Sequence, residues 1–500
     1  MKKLNFYLFM LLSLSFTSKA QRQSMIWCFG DSALIDFNSG TPQCGTSALK
    51  AYGSCCGISD QNGQLLFYCG TPEFPVGSAL HGNGVIYNRQ HQIMDSGEYI
   101  ESERWYHEMI IIPDPADSLN YYLFHQSNTV QGRQGLYYSI INLHYNGGLG
   151  SVTNKNIQIV SSYMTDCISA IKHANGRDWW LITRRNPWFG SGIFDNRFYF
   201  NLITPFGIQD YGFQIIGNIN QSNLGEIKFN LTGNRMVYIN IYGQVELYDF
   251  DRCTGLLSNP HTIEQLTTSA PEAYWGVEFS QEDQRLYVVV NTPQDNWTLR
   301  QYDLTAANIT QSKVDIYTQV TTPYACGGGA LKLAPDGKIY WAFNMPCVFP
   351  YIDTSYSSIN KYLSVIENPI GLGASCDFRP FSFYLGGKRT YMGLPNNPDY
   401  NLPAVSGSVC DSLNPVNGVH LVPTSQNIFE IYPNPSYGAI HISGAFDDGD
   451  VIEILDLSGR MIFKEKMNGS SIETTLAAGS YLVKMAKSEG NIQVKKLIVL

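Results

Sequence analysis

Charge is scarce in this chain of 500 residues: 15% are Asp, Glu, Lys or Arg, against 44% hydrophobic and 13% aromatic. A chain so poor in charge and so rich in apolar side chains is not intrinsically disordered, because it can bury enough surface to offset the entropy of ordering. An excess of basic residues is also missing. The net charge of −9 leaves no basic stripe to neutralise phosphates, so no nucleic-acid partner is expected. Beyond the first twenty residues no apolar run reaches the eighteen needed for a membrane-crossing helix, so no transmembrane segment is expected either. No Cys-x-x-Cys pair is present, which removes the usual zinc and thioredoxin-like signatures.

What is present begins with an export signal. Lys2 and Lys3 form a positive start, Leu4 to Phe16 a mostly apolar run too short to span a bilayer, and Ser18-Lys19-Ala20 a small-residue cleavage site. Residues 1–20 are therefore expected to be a signal peptide, cut after Ala20. All 11 cysteines lie beyond it and would meet an oxidising compartment, and their odd number leaves at least one unpaired. Cys28, inside the apolar run Met25 to Phe29, is the favoured odd one. Adjacent Cys55 and Cys56 cannot easily bridge each other, so each points to a separate partner such as Cys44 or Cys69.

From residue 58 to about 385 one pattern returns: a strand, a tight polar turn, then a strand rich in aromatic and β-branched residues. The copies are "ISDQNGQLLFY" at 58–68, "IIIPDPADSLNYYLF" at 110–124, "AIKHANGRDWWLI" at 170–182, "IKFNLTGNRMVYI" at 227–239, "VEFSQEDQRLYVVV" at 277–290 and "LKLAPDGKIYWAF" at 331–343. A period of roughly fifty to sixty residues with several strands per copy predicts an all-β propeller, since one blade cannot bury both faces alone. A seventh unit is expected from "FRPFSFYLGGKRTYMGL" at 378–394 paired with the first mature strand near Ser24 to Gly30, giving seven blades over 21–394. A Pro/Asn/Ser/Gly-rich stretch at 395–426 reads as linker. Short alternating strands over 427–500 then predict a small immunoglobulin-like β-sandwich.

In that tail "EIYPNPSYGAIHI" at 430–442, "EILDLSGRMI" at 453–462, "LAAGSYLVKM" at 476–485 and "VKKLIVL" at 494–500 stand in order. The tail resembles a type A C-terminal sorting domain of the Bacteroidetes type IX secretion system. On that resemblance Tyr432, Pro433, Asn434, Pro435 and Gly438 match the opening motif, Gly479 and Tyr481 the late Gly-x-Tyr, and Lys495 and Lys496 the terminal basic pair. The resemblance implies secretion or display on the outer-membrane cell surface, with the type IX machinery and a surface sortase as partners. The body is similar to a family of Bacteroidetes surface propellers, through "FGDSALIDFNSGTP" at 29–42, "ISDQNGQLLFY" at 58–68, "NGGLGSV" at 146–152 and "YDFDRCTGLLSNP" at 248–260. Those relatives, found on gliding-motility-associated or adhesin-like proteins, imply location rather than chemistry.

Catalytic signatures are thin. There is no Gly-x-Ser-x-Gly elbow, and His107-Glu108 lacks a second ligand four residues on, where Ile111 stands. Gly327 to Gly329 precede no Lys-Ser/Thr pair or helix start, so strand entry is their expected role. Asp249 with Asp251, and Asp447, Asp448 and Asp450, do not form a calcium loop and read as turns. No cofactor is expected. Trp179, Trp180, Trp188, Phe189, Phe349 and Tyr351 are read mainly as packing between blades, with stacking on sugars as the functional alternative. The expected function is a non-catalytic module binding extracellular glycan or protein. The alternatives are a polysaccharide hydrolase or lyase with a channel active site and a structural surface or motility component.

Overall fold

The computed structural model describes residues 22–72, 83–103, 105–128, 132–186, 195–265, 272–292, 296–320, 327–344, 356–411, 429–434, 436, 438–444, 446–456, 460–467, 471–487 and 492–499. The signal peptide with Ala20, and Pro435 of the opening motif, lie outside these residues. Among the described residues the elements are β-strands and four short 3-10 turns, and the chain divides into two compact units, Met1–Asn414 and Pro415–Leu500.

The first unit holds six antiparallel sheets in chain order: one of six strands, from Ile26–Phe29 to Ile100–Glu101, then five of four strands each. The five open with Met109–Pro113, Ser169–Lys172, Gly225–Phe229, Ala273–Phe279 and Gly328–Leu333. Residues of these opening strands line one central cavity, so the sheets form a propeller-like ring around an axis. Between the sheets lie buried clusters such as Trp180, Phe198, Met236, Tyr238 and Tyr248. A strand apolar on both faces finds cover only between two neighbours, which is why the repeated sequence pattern becomes a ring.

The repeated hairpin has a common geometry. In five of its copies the turn closes with an N–H donating three residues back: Gly63 to Asp60, Gly176 to His173, Gly233 to Asn230, Asp283 to Ser280 and Gly337 to Ala334. Each of these donors has positive φ, from 56° to 87°. The turn requires the left-handed region, which glycine enters freely and Asp tolerates, and this explains the Gly and Asp of the sequence pattern.

The expected seventh unit is corrected. Phe378–Tyr384 pairs with Tyr362–Ile366 and completes the sixth sheet, while Ile26–Phe29 pairs with Asp31–Asp36. The two ends of the unit meet in an isolated bridge between Asp31 and Arg389. Tyr362 and Leu363 continue in register with Tyr384 and Phe383, so the strand already has a full partner within its own sheet.

The expected linker is also divided. Residues 395–411 are packed in the first unit: Asn396 Nδ2 donates to the Met109 and Ile168 carbonyls at 3.0 Å each, Tyr400 Oη to Ile111 O at 3.1 Å, and Arg252 Nη2 to Pro403 O at 2.7 Å. A disulfide joins Cys410 to Cys253. Pro- and Asn-rich composition marks irregular backbone, and here that backbone finds its partners on the inner strands instead of in water. Residues 412–426 lie outside the described residues.

In the second unit Phe429–Tyr432, Ala439–Gly444 and Ser471–Thr475 form one sheet. Met461–Lys466, Val451–Asp456, Gly479–Ala486 and Ile492–Val499 form the other. Phe429, Ile440, Ile442 and Ile472 from the first meet Ile452, Ile454, Val483, Met485 and Leu497 from the second in one core. Alternate residues face that core, the period of two that the sequence displays.

Candidate functional site

Charged side chains gather along the ring axis. Glu226, fully buried on the Gly225–Phe229 strand, has its Oε1 at 3.2 Å from Lys228 Nζ and 3.3 Å from His107 Nε2, and its Oε2 accepts Val277 N at 3.2 Å. Lys228 also lies 3.7 Å from Glu278, whose Oε2 accepts Leu333 N at 3.0 Å. Just ahead of the Met109–Pro113 and Ser169–Lys172 strands, Asp166 accepts the Tyr106 and His107 amides at 2.6 and 2.5 Å, and Glu108 accepts Glu103 N at 3.2 Å. Inner-strand residues alternate between the axis and the intersheet core, so Glu226 and Lys228 both reach the axis while Ile227 packs outward.

Burial dominates their titration. It pushes the Glu226 carboxyl up to about 8 despite the opposing pull of Lys228, and it holds Asp166 and Glu108 well above the carboxylate range. Burial also lowers Lys332 to about 7, helped by the like charge of Lys228, and keeps His107 neutral far below its usual range. Lys228, Glu278 and Lys332 line a polar cavity of about 260 Å³, walled on one side by residues 396–403.

A second constellation lies on the outside of the third sheet, whose last strand is Gly207–Asn220. Tyr199 and Phe213 are cross-strand partners with rings 5.6 Å apart. The Arg185 guanidinium lies 3.8 Å over Tyr199, and that of Arg197 lies 4.7 Å over Phe213. Phe213 is 49% exposed and Ile215 64%. Arg197 also hydrogen-bonds Tyr199 and lies 3.9 Å from Asp195, and Arg185 has no ion pair among the described residues. Flat rings under guanidinium groups are a surface suited to sugar faces and anionic groups.

The sequence-flagged aromatics separate. Trp179 and Trp180 are buried between sheets, and Trp188, Phe189, Phe349 and Tyr351 lie outside the described residues. Gly327 and Gly328 lie against the Trp297 ring, where a Cβ would come within 2.2 Å of it, so they serve strand entry. Asp251 caps Cys253 N at 2.8 Å, and Asp447 pairs with Lys487 at 2.8 Å. Among the described residues no three His, Cys, Asp or Glu side chains are placed to hold a metal ion.

In the second unit most of the flagged positions converge at one end. Ser436, between the opening-motif residues, bridges Val499, and Val499 pairs with Gly479. Tyr481 pairs with Leu497 and donates its hydroxyl to Ala477 O at 2.9 Å. Gly438 has φ of 110° and accepts Leu476 N at 2.8 Å. Tyr432, Pro433 and Asn434 are exposed, with the Tyr432 ring 4.7 Å from that of His441. Lys495 stands apart, its ammonium 5.3 Å from the Phe429 ring centre, and Lys496 is placed by its backbone pairing with Leu482. Residues 430–500 match the secretion system C-terminal sorting domain. The sorting domain makes the protein an exported, surface-directed cargo of type IX secretion, handled by that machinery. No helix of the described residues is long and apolar enough to cross a membrane.

None of the curated proteins compared matches the chain. Among solved structures it is similar to a Pseudomonas aeruginosa periplasmic gluconolactonase, at 10% identity over 74% of this chain and 98% of that one, with a TM-score of 0.47. Two putative 6-phosphogluconolactonases are also similar. The one from Bacteroides fragilis shares 11% identity over 74% of this chain and 97% of its own, with a TM-score of 0.45. The one from Bacteroides uniformis shares 12% over 73% and 98%, also at 0.45.

The axial cluster and the outer platform both escape a motif search. Glu226, Glu278 and Lys332 sit on three different repeats, and aligning the repeats would have placed Lys228 and Lys332 at one position, the middle of "I-K-F" and "L-K-L". Nothing in the sequence brings Arg185 to Tyr199.

Proposed function

We propose that the protein is a secreted or surface-anchored type IX cargo whose ring is a non-catalytic binding module, taking an anionic glycan on the platform of Tyr199, Phe213, Arg185 and Arg197. The supporting observation is that platform: two aromatic faces, each under a guanidinium, on paired strands, with Phe213 and Ile215 of the outer one open to solvent. Aromatic faces supply contact area at low entropic cost and guanidinium groups pair with carboxylates or sulfates. In this reading residues 1–20 leave after Ala20 and the ring has seven blades, two of them supplied by the six-stranded sheet. The sandwich is immunoglobulin-like, with Tyr432, Pro433, Asn434, Pro435, Gly438, Gly479, Tyr481, Lys495 and Lys496 as the sorting signal, and a surface sortase acts on it. A screen on glycan arrays should show retention of acidic over neutral glycans, and Phe213→Ala should weaken it by roughly tenfold or more, the loss of one stacking anchor. Undiminished binding by Phe213→Ala together with Arg185→Ala would remove the platform from the account.

The hydrolase reading keeps one supporting feature: Lys332 lines the axial cavity and Glu226 pairs with Lys228 on its wall, both shifted toward neutrality. Against it, Glu226, Glu278, Asp166 and Glu108 each accept a backbone amide, and residues 396–403 occupy the axis. Release of sugars from polysaccharides by the protein, abolished by Glu226→Gln, would favour the hydrolase.

A further inference from the structure

Cys56 and Cys69 face each other across the first sheet. They are directly opposed Cα partners on the antiparallel strands Gln43–Ser59 and Leu65–Pro72. Their sulfurs lie 3.1 Å apart and both residues are fully buried. Directly opposed antiparallel residues have Cα atoms about 4.5–5.5 Å apart, within the range of a disulfide, and an S–S bond of about 2.0 Å asks the sulfurs to close by roughly 1 Å. The adjacent cysteine is no competitor. Neighbouring residues of a strand point to opposite faces, and Cys55 packs with Cys28, Trp27 and Met392 while Cys56 packs with Cys69, Ile58 and Phe67.

We infer that Cys56 and Cys69 are an oxidative modification site and form a cross-strand disulfide in the exported protein. The sorting domain takes the chain out of the reducing cytoplasm, and Cys253 and Cys410 already carry a disulfide in the same unit. The oxidant is the disulfide of a thiol–disulfide exchange protein. One cysteine thiolate attacks it and expels a donor thiolate; the second attacks the mixed disulfide and expels the other. Two protein thiols and one donor disulfide thus become one protein disulfide and two donor thiols, with two electrons passing to the donor. In the folded unit neither sulfur is reachable, and burial holds the Cys56 thiol protonated, so the bond forms while the hairpin assembles.

The bond has a structural consequence. The strand it staples receives the axial segment: Met392 N donates to Tyr52 O, Asn396 N to Cys55 O, and Gly57 N to Asn397 Oδ1. The staple therefore fixes the wall on which residues 392–397 dock.

The test uses the full chain purified without reductant from an exporting host, alkylated in denaturant and digested for mass spectrometry. No Lys or Arg lies between Ala51 and Asn88, so trypsin leaves all three cysteines on one peptide, and cleavage before Asp60 is needed to separate Cys55 and Cys56 from Cys69. The expected result is a linked peptide pair, two hydrogens lighter than the sum of its parts, kept in Cys55→Ser and absent in Cys56→Ser. Alkylated Cys56 and Cys69, or a link from Cys55 to Cys69, overturns the inference. Thiol titration in denaturant decides it independently of folding: Cys56→Ala with Cys69→Ala leaves the free-thiol count unchanged if the pair is bonded, and a fall of two overturns it.

Discussion

Single residues on the axis carry opposed protonation costs. Glu226 binds a proton more readily folded than unfolded, so between about pH 4.5 and 8 the folded state holds more protons and stability falls as pH rises. Lys332 works the other way: its amine is depressed to about 7, so from there toward 10.5 the folded state holds fewer protons and stability rises with pH. Glu226→Gln should flatten the fall in melting temperature between pH 5 and 8 and leave the alkaline limb in place, as thermal melts across that range would show. An unchanged slope would mean that Glu226 is not the titrating group. Trp180 sits fully buried between the third and fourth sheets with its Nε1 donating to Arg252 O at 2.8 Å. Trp180→Ala should cost about 3–5 kcal/mol in denaturant unfolding, the usual loss for a large aromatic in a packed core.

The element that composition misplaces is the stretch after Leu394. It reads as linker because Pro395, Asn396, Asn397 and Pro398 deny it any regular period. Its polar groups instead replace a missing partner along the axis, where the inner carbonyls of Met109, Ile111 and Ile168 would otherwise lack a donor. A chain ending at Leu394 should then aggregate or melt well below one ending at Asp411, by more than ten degrees, since several buried carbonyls lose partners at about 1–3 kcal/mol each. Equal melting temperatures for the two would return the stretch to linker status. Cys410 closes a long loop back to Cys253, so Cys253→Ser should lower the melting temperature of the chain ending at Asp411 by several degrees and leave that of the chain ending at Leu394 unchanged.

On the scale of the whole molecule the two units divide the work between address and display. Deleting residues 427–500 in a type IX-competent host should leave the ring in the periplasm, measured by fractionation and surface protease digestion. Normal display of that truncation would separate the sorting domain from export. Residues 396–403 of the ring's own chain wall its axial cavity, and the glycan screen tests whether ligand chemistry belongs to the outer platform instead.

The sequence by itself determined the periodic features. Alternation of period two marked six repeated hairpins of the body, and in five of them a turn in the left-handed region, which admits little besides Gly, Asn or Asp, signs the repeat. The motifs around Tyr432, Gly438, Gly479 and Tyr481 named the sorting domain for a similar reason: they hold one tightly constrained end of a sandwich, and constraint leaves a readable signature. Only the tertiary structure decided what distance along the chain conceals. Glu226 meets His107 from 119 positions away, Arg185 lies over Tyr199, Cys56 rather than Cys55 faces Cys69, and residues 396–403 wall the axial cavity. These are contacts between repeats, set by how sheets pack around a ring, and no local periodicity records which residue of one sheet will meet which residue of the next.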